Sequence, residues 1–147
     1  MRVSLQRADT LHSRAALAAV RAAGLGPLLR RCGDLLGVPA RDTLTLRLTG
    51  DDELRALNAR FLGADEPTDV LAFPAAEAGR VGDVAISLDR ALAQGGDDVA
   101  SELRLLAVHG LLHCLGHDHG DAAGAAAMTA ATRSLLPAQG VPELVGG

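Results

Sequence analysis

Three of the five histidines in this 147-residue chain, His109, His113 and His119, have a spacing typical of a metal site. His109 and His113 are four residues apart, so on a helix both imidazoles leave from one face, with about 6 Å of rise between them. Gly116 can end such a helix in the left-handed conformation and turn His119 back toward the other two. Three nitrogen ligands leave the fourth tetrahedral position open, as in catalytic zinc sites. The spacing predicts one zinc ion with a hydrolytic function.

The spacing of the three histidines is rarely produced by chance. With 5 histidines in 147 residues, three at one fixed spacing are expected roughly 0.005 times per chain. Imidazole also binds manganese and nickel, so the residues alone leave the identity of the metal open. Cys114 lies beside a predicted ligand, but we interpret it as a small apolar packing residue.

Metallopeptidases with this spacing carry a glutamate as general base directly after the first histidine, where this chain has Gly110. A peptidase is therefore the less favoured enzyme class.

Length and composition predict a single globular domain over residues 1–147, large enough to form a core without disulfides. The only cysteines, Cys32 and Cys114, indicate a reducing compartment. The first residues lack the apolar segment of a signal peptide, and no apolar run approaches 18 residues, so we expect a cytoplasmic protein without a membrane partner. A net charge of −4 argues against general nucleic-acid or DNA binding. Any contact with RNA must be local.

Strand and helix signals alternate along the chain. Alternating or short apolar runs predict strands at residues 3–6, 43–49, 68–73 and 83–87. Periodicity and capping residues predict six helices. The first runs from Arg14 to Val20 and is capped by Ser13, and the second covers 28–36 after an interruption at Gly24, Gly26 and Pro27. The third is capped by Asp51 or Asp52 and has apolar residues at Leu54, Leu57, Phe61 and Leu62; a short fourth helix begins near Asp89, the fifth covers 98–115, and the sixth is capped by Asp121 and ends near Pro137. Together these elements predict an α+β fold, a small mixed sheet flanked by helices with the metal helix packed on it.

Residues 109–119, HGLLHCLGHDH, resemble the HGxLHLxGYDH signature of the YbeY family of zinc-dependent endoribonucleases. Residues 57–74, LNARFLGADEPTDVLAFP, are similar to that family's LNxxYRxxDxPTDVLSFP segment, and residues 82–87, GDVAIS, to its GDIVIS strand. The resemblance spans about residues 43–136 in the same order. It implies a zincin-like metal helix, one zinc ion on the three histidines, and single-strand-specific RNA cleavage.

The resemblance also implies a biological role: maturation of the 3′ end of 16S ribosomal RNA and ribosome quality control. The partners would be ribosomal RNA and the small ribosomal subunit, with a ribosomal protein or an assembly GTPase as further partners. The attacking group, water or the RNA 2′-hydroxyl, stays open at this stage. A noncatalytic zinc-containing ribosome-assembly factor is the alternative from a different functional class.

The chain departs from the family pattern at two positions. His117 replaces a common tyrosine, and either serves near the metal as a proton shuttle, outer-sphere group or alternative ligand, or is a packing replacement. Leu62 replaces an arginine that the family uses near its active site. Arg60 leaves a helix about 200° away from position 62, and Arg80 lies in a predicted loop, so neither is a simple substitute. Asp118 either orients an imidazole or caps a turn, while Asp69 and Asp83 are not assigned as catalysts.

Overall fold

The computed structural model describes residues 1–9 and 13–144. In these residues four strands form one mixed sheet in the order β1-β2-β4-β3: β1 Arg2–Arg7, β2 Thr43–Thr49, β3 Val70–Pro74 and β4 Arg80–Ser87. β1, β2 and β4 are parallel, and β3 pairs antiparallel with β4 at one edge. The predicted small mixed sheet is confirmed, although β4 begins three residues earlier than the apolar run indicated, at Arg80.

Six helices flank this sheet in the described ranges: α1 Arg14–Ala23, α2 Leu25–Leu35, α3 Asp51–Leu62, α4 Leu88–Gly95, α5 Val99–Cys114 and α6 Ala122–Leu135. Ser13 and Asp121 cap α1 and α6 through their side chains, as predicted. The predicted start of α2 is wrong, because Gly26 and Pro27 lie inside its first turn. Proline is tolerated there, since backbone N–H groups of a first turn have no partner within the helix. None of these helices has the length and apolar composition that crossing a membrane requires.

The two faces of the sheet carry different layers. Leu44, Leu46 and Leu48 of β2 are fully buried in the main core, which confirms the alternation seen in the sequence. α5 packs on this face, where it contacts β3, β4 and the helices α1, α2, α4 and α6. On β4, Val84 belongs to the main core. The next residue, Ala85, points to the opposite face of the sheet, because side chains alternate along a strand. There it forms a small second cluster with Leu71 and with Leu54 of α3.

α3 differs from the prediction at both ends. Gly50, not Asp51 or Asp52, is the N-cap residue, and the Asp89 carboxylate accepts the Asp51 backbone N–H at 2.8 Å. This cap comes from a residue 38 positions away, which local sequence cannot indicate. Phe61 and Leu62, predicted on the buried face, are 55% and 61% exposed. The second cluster contains only three buried residues, so this face offers the last turn of α3 little structure to pack against.

Candidate metal centre

α5 carries two of the three candidate ligands. It begins at an N-cap, Asp98, whose carboxylate accepts the Ser101 backbone N–H at 3.1 Å. Most of the helix is buried between the sheet and the other helices, so its position is fixed on several sides. His109 and His113 lie one turn apart on a stripe of the helix that is only partly buried. Both imidazoles therefore project from a rigid element toward the same side.

The end of α5 brings the third histidine back. Gly116 has a φ of +100°, a region that favours glycine. Its N–H donates to the His113 carbonyl at 3.0 Å, and the His117 N–H donates to the Leu112 carbonyl at 2.9 Å. This pair of hydrogen bonds is the Schellman motif, which satisfies the last carbonyls of the helix and reverses the chain. The predicted turn at Gly116 is confirmed, and it places the His119 ring beside that of His113.

The three imidazoles form one group. The ring centroids of His113 and His119 are 5.4 Å apart, with an angle of 65° between the planes. Two imidazoles bound to one tetrahedral zinc ion have centroids about 5 Å apart, given Zn–N distances of about 2.0–2.1 Å. The Nε2 atom of His109 is buried and has no hydrogen-bond partner among the described residues. A buried ring nitrogen without a partner is costly unless something else binds it.

Within the ranges that the structure describes, no three His, Cys, Asp or Glu side chains already stand in the geometry that holds a metal ion. The separation of the His113 and His119 rings is close to that of two imidazoles on one ion, and both rings lie near enough to His109 to lower its pKa. The donor chemistry and the unpartnered Nε2 atom fit one transition-metal ion.

Burial favours the neutral form of the two candidate ligands on α5. Burial, followed by the nearby His113 and His119, lowers the pKa of His109 to about 4. Burial, and then His119, also lowers the pKa of His113, while the His117 backbone and Asp118 partly oppose the change. Only a neutral imidazole can donate a lone pair to a metal. His109 and His113 are thus in the binding form at neutral pH.

Gly110 allows α5 to lie close to the sheet. A Cβ atom at this position would lie 2.9 Å from Cγ2 of Val84 and still closer to its Cγ1. Side chains at position 110 would therefore point into the core and not toward the histidines. A glutamate could neither fit here nor reach the site, which removes the general base of the rival metallopeptidase interpretation.

The other candidate residues lie around the turn after α5. Asp118 accepts the Gly120 backbone N–H at 3.1 Å, as expected for a turn-capping carboxylate. His117 and Asp118 both line a shallow depression beside the start of α6. Burial, and then Asp83, raise the pKa of the Cys114 thiol to about 11, so this side chain is a protonated thiol at neutral pH. A thiol held neutral by burial suits the predicted packing role of this residue.

Comparison with known proteins agrees with the sequence pattern. A sequence model of the family described as Endoribonuclease YbeY matches residues 24–140. The chain belongs to the YbeY family. The Endoribonuclease YbeY of Moorella thermoacetica is 37% identical over 133 residues, which cover 80% of this chain and 85% of that protein. The Koribacter versatilis protein of the same name is 44% identical over 106 residues, covering 70% and 68%.

A third relative and a solved structure extend this result. The Endoribonuclease YbeY of Thermus thermophilus is 46% identical over 109 residues, covering 65% of this chain and 78% of that protein. The solution structure of TM1509 from Thermotoga maritima shares the fold, with a TM-score of 0.57, 19% identity, and coverage of 92% and 90%. The predicted α+β fold, the YbeY family and the enzyme class, an endoribonuclease, are confirmed.

Leu62 stands at the position where the resemblance to the YbeY family predicts an arginine. Leu62 is 61% exposed at the end of α3. The Arg80 guanidinium donates to both carboxylate oxygens of Asp83, at 2.9 and 2.8 Å, and lies 3.6 Å from Glu77. Arg60 lies over the Phe61 ring, with its Cζ atom 5.0 Å from the centroid. Arg80 is thus paired with carboxylates and Arg60 with an aromatic ring, and the absence of a substitute for an arginine at position 62 stays a prediction.

A polar group beside His109 was missed by the sequence reasoning. Gln94 of α4 donates to Asp69 at 3.2 Å and to Glu102 at 3.1 Å, and so links the start of β3 to α5. Burial raises the pKa of Glu102, and the charge of Asp69 opposes the lowering of the His109 pKa. Glu102 precedes His109 by seven residues, or two helical turns, which was a signal that both lie on one stripe. Nothing local indicated that Gln94 would join them.

Proposed function

We propose that this YbeY-family chain is a cytoplasmic, zinc-dependent endoribonuclease specific for single-stranded RNA, acting in 16S ribosomal RNA 3′-end maturation and in ribosome quality control. The grouping of His109, His113 and His119, with the buried Nε2 atom of His109 unpartnered among the described residues, carries the proposal. The names of the relatives support RNA as the substrate. The small ribosomal subunit, with a ribosomal protein or an assembly GTPase, is the expected partner.

Each residue of the site has a separate task in this proposal. His109, His113 and His119 would hold the ion, and zinc bound there supplies a Lewis acid and an activated water near neutral pH. Burial keeps the His109 imidazole neutral. The close approach at Gly110 sets the position of His109, and the turn at Gly116 sets that of His119. His119 itself is exposed, so an RNA strand can approach the site from that side.

Cleavage of an RNA fragment that carries the immature 3′ end of 16S ribosomal RNA tests this proposal. We expect discrete cleavage by zinc-loaded wild-type protein and none by His113→Ala, which should also lose bound zinc. His117→Tyr is the matched control, because it changes a neighbouring histidine to the residue common in the family and should retain zinc and cleavage. Equal cleavage by wild type and His113→Ala would refute the proposed site.

The noncatalytic assembly factor stays as a second candidate because of one observation. An exposed leucine stands where the family carries an arginine, and Arg80 is already paired with Asp83. The variant Leu62→Arg distinguishes the two functions. If wild-type protein binds zinc and small ribosomal subunits without cutting RNA, while Leu62→Arg gains cleavage, the assembly factor is the better description. Cleavage of RNA by the wild-type protein is by itself sufficient to exclude the noncatalytic assembly factor.

A further inference from the structure

The two phenylalanines of the chain lie together at the end of α3. The sequence contains no tryptophan and no tyrosine, so Phe61 and Phe73 are its only large aromatic side chains. Their rings meet edge to face, with centroids 5.4 Å apart and planes at 61°. A phenylalanine usually contributes to a core, yet Phe61 is 55% exposed. Its exposed ring is therefore a candidate contact surface.

We propose that Phe61 and Phe73 form a stacking ledge for a base of single-stranded RNA. The proposal rests on the proposed function to the extent that RNA is the substrate, and it adds a binding site outside the histidine group. Bases of single strands stack on exposed aromatic rings in RNA-binding proteins, because every base has a flat π-face. The same chemistry makes the contact tolerant of sequence.

The ledge borders a groove of suitable size. A cavity of about 390 Å³ lies between the last turn of α3 and the sheet, and both rings line it. This volume is within the range of small-molecule sites, about 300–1,000 Å³. Thr45, Arg47 and Asp83 contribute polar side chains to the walls, which can meet the edges of a base. The rest of the wall is mostly apolar, which suits the flat face of a base.

Charge at the ledge favours RNA as well. The Arg60 guanidinium lies over the Phe61 ring at 5.0 Å and forms no salt bridge in the part of the chain that the structure describes. It is exposed, so it can turn to a phosphate when a base takes its place on the ring. Phosphate contacts of this kind add salt-dependent affinity. The chain is acidic overall, with a net charge of −4, so a local cation is important for RNA binding.

The ledge is connected to the histidine group through β3. The carbonyl oxygen of Phe73 and the Sγ atom of Cys114, the residue that follows His113, both lie beside Gly82 of β4. A Cβ atom at Gly82 would lie 2.7 Å from Cys114 Sγ, so glycine keeps this part of the sheet close to α5. β3 is an edge strand that contacts α5 on one face and α3 on the other, so the ledge and the histidine-bearing helix lie on opposite faces of the same edge. A single strand crossing that edge can contact both.

The absence of tryptophan from the chain makes a direct test possible. Phe61→Trp introduces a single indole, whose emission a stacked base should quench, and Leu35→Trp places the same probe at a 66% exposed site on α2 as the control. The ligand is a single-stranded oligoribonucleotide of about ten bases, 2′-O-methylated to resist cleavage. We expect quenching only in Phe61→Trp. In the otherwise native protein, Phe61→Leu should weaken binding about 5- to 150-fold, and Leu62→Ala less than about twofold.

The outcomes separate this inference from the nuclease proposal. Equal quenching of both indoles, no binding by wild type, unchanged affinity in Phe61→Leu, or an equal loss in Leu62→Ala would each overturn the ledge. If wild type binds through Phe61 yet cleaves no RNA, the ledge stands and the nuclease function fails. If RNA is cleaved while Phe61→Leu changes neither binding nor cleavage, only the ledge fails.

Discussion

The close contact between α5 and β4 at Gly110 leads to a specific stability prediction. Gly110→Ala adds one methyl group 2.9 Å from Val84 Cγ2, whereas carbon atoms prefer about 3.5–4.0 Å. Val84 is 1% exposed and β-branched, so its side chain has little freedom to turn away. The helix would have to move from the strand by more than about 0.6–1 Å, because Cγ1 of Val84 is closer still than Cγ2. His109, the neighbouring residue, would move with it.

Two opposing effects determine the size of the change. Overpacking a rigid core costs about 1–3 kcal/mol, while replacing glycine by alanine inside a helix returns up to about 1 kcal/mol. The steric term is larger because stiff atoms surround the site. We expect the free energy of unfolding to fall by about 1–2 kcal/mol, which lowers the melting temperature by roughly 2–8 °C for a domain of this size. Zinc affinity should fall as well.

Thermal and urea denaturation of three variants test this reasoning. Gly26→Ala is the matched control, because its added methyl meets only the flexible Arg30 guanidinium at 3.4 Å and should stabilise the protein by about 0.5–1 kcal/mol. The double variant Gly110→Ala/Val84→Ala should lose at least about 1 kcal/mol less than the sum of its single changes, because the new methyl occupies the space that valine leaves. If Gly110→Ala is as stabilising as Gly26→Ala, the close approach is refuted.

Three further predictions concern pH, metal and a buried amide. Since the pKa of His109 is lowered to about 4, the unfolded chain binds a proton between pH 6.5 and 4 that the folded metal-free protein does not. The contribution of His109 to the free energy of unfolding is therefore fully present above pH 6.5, and the free energy falls on acidification by at most about 1.4 kcal/mol per pH unit. An equal dependence of the free energy of unfolding on pH in His109→Gln would contradict this. His119→Ala should lower bound zinc, measured by mass spectrometry of the metal, and unchanged occupancy would exclude it as a ligand. Asn58 is 6% exposed and donates to the Glu66 carbonyl at 3.1 Å, so Asn58→Leu should cost about 1–3 kcal/mol in urea denaturation, and a change below about 0.5 kcal/mol would show that the bond is unimportant.

Local patterns were sufficient where one residue or one repeat sets the conformation. The alternation over residues 43–49 predicted β2, because the fully buried leucines at every second position need one apolar face. Asp121 indicated the start of α6 through the hydrogen bond of its own side chain. Gly116 indicated the turn that returns His119, because the required φ is easy for glycine alone.

Predictions failed where distant residues compete with local ones. The carboxylate of Asp89 binds the Asp51 N–H, so the start of α3 depends on a contact that spacing does not reveal. Periodicity placed Phe61 on a buried face, but the small cluster on that side of the sheet leaves the ring exposed. Gln94 joins Asp69 and Glu102 only because α4, β3 and α5 come together in the fold.

The sequence by itself determined the elements, the family and the spacing of the histidines, because hydrogen bonding and side-chain periodicity act over a few residues. The tertiary structure decided which atoms meet. It brought His119 beside His113, buried the His109 Nε2 atom, pressed Gly110 against Val84, and left the Phe61 ring open. Burial and close contact depend on how whole helices pack on the sheet, and the packing of distant segments is not encoded in any single stretch of the chain.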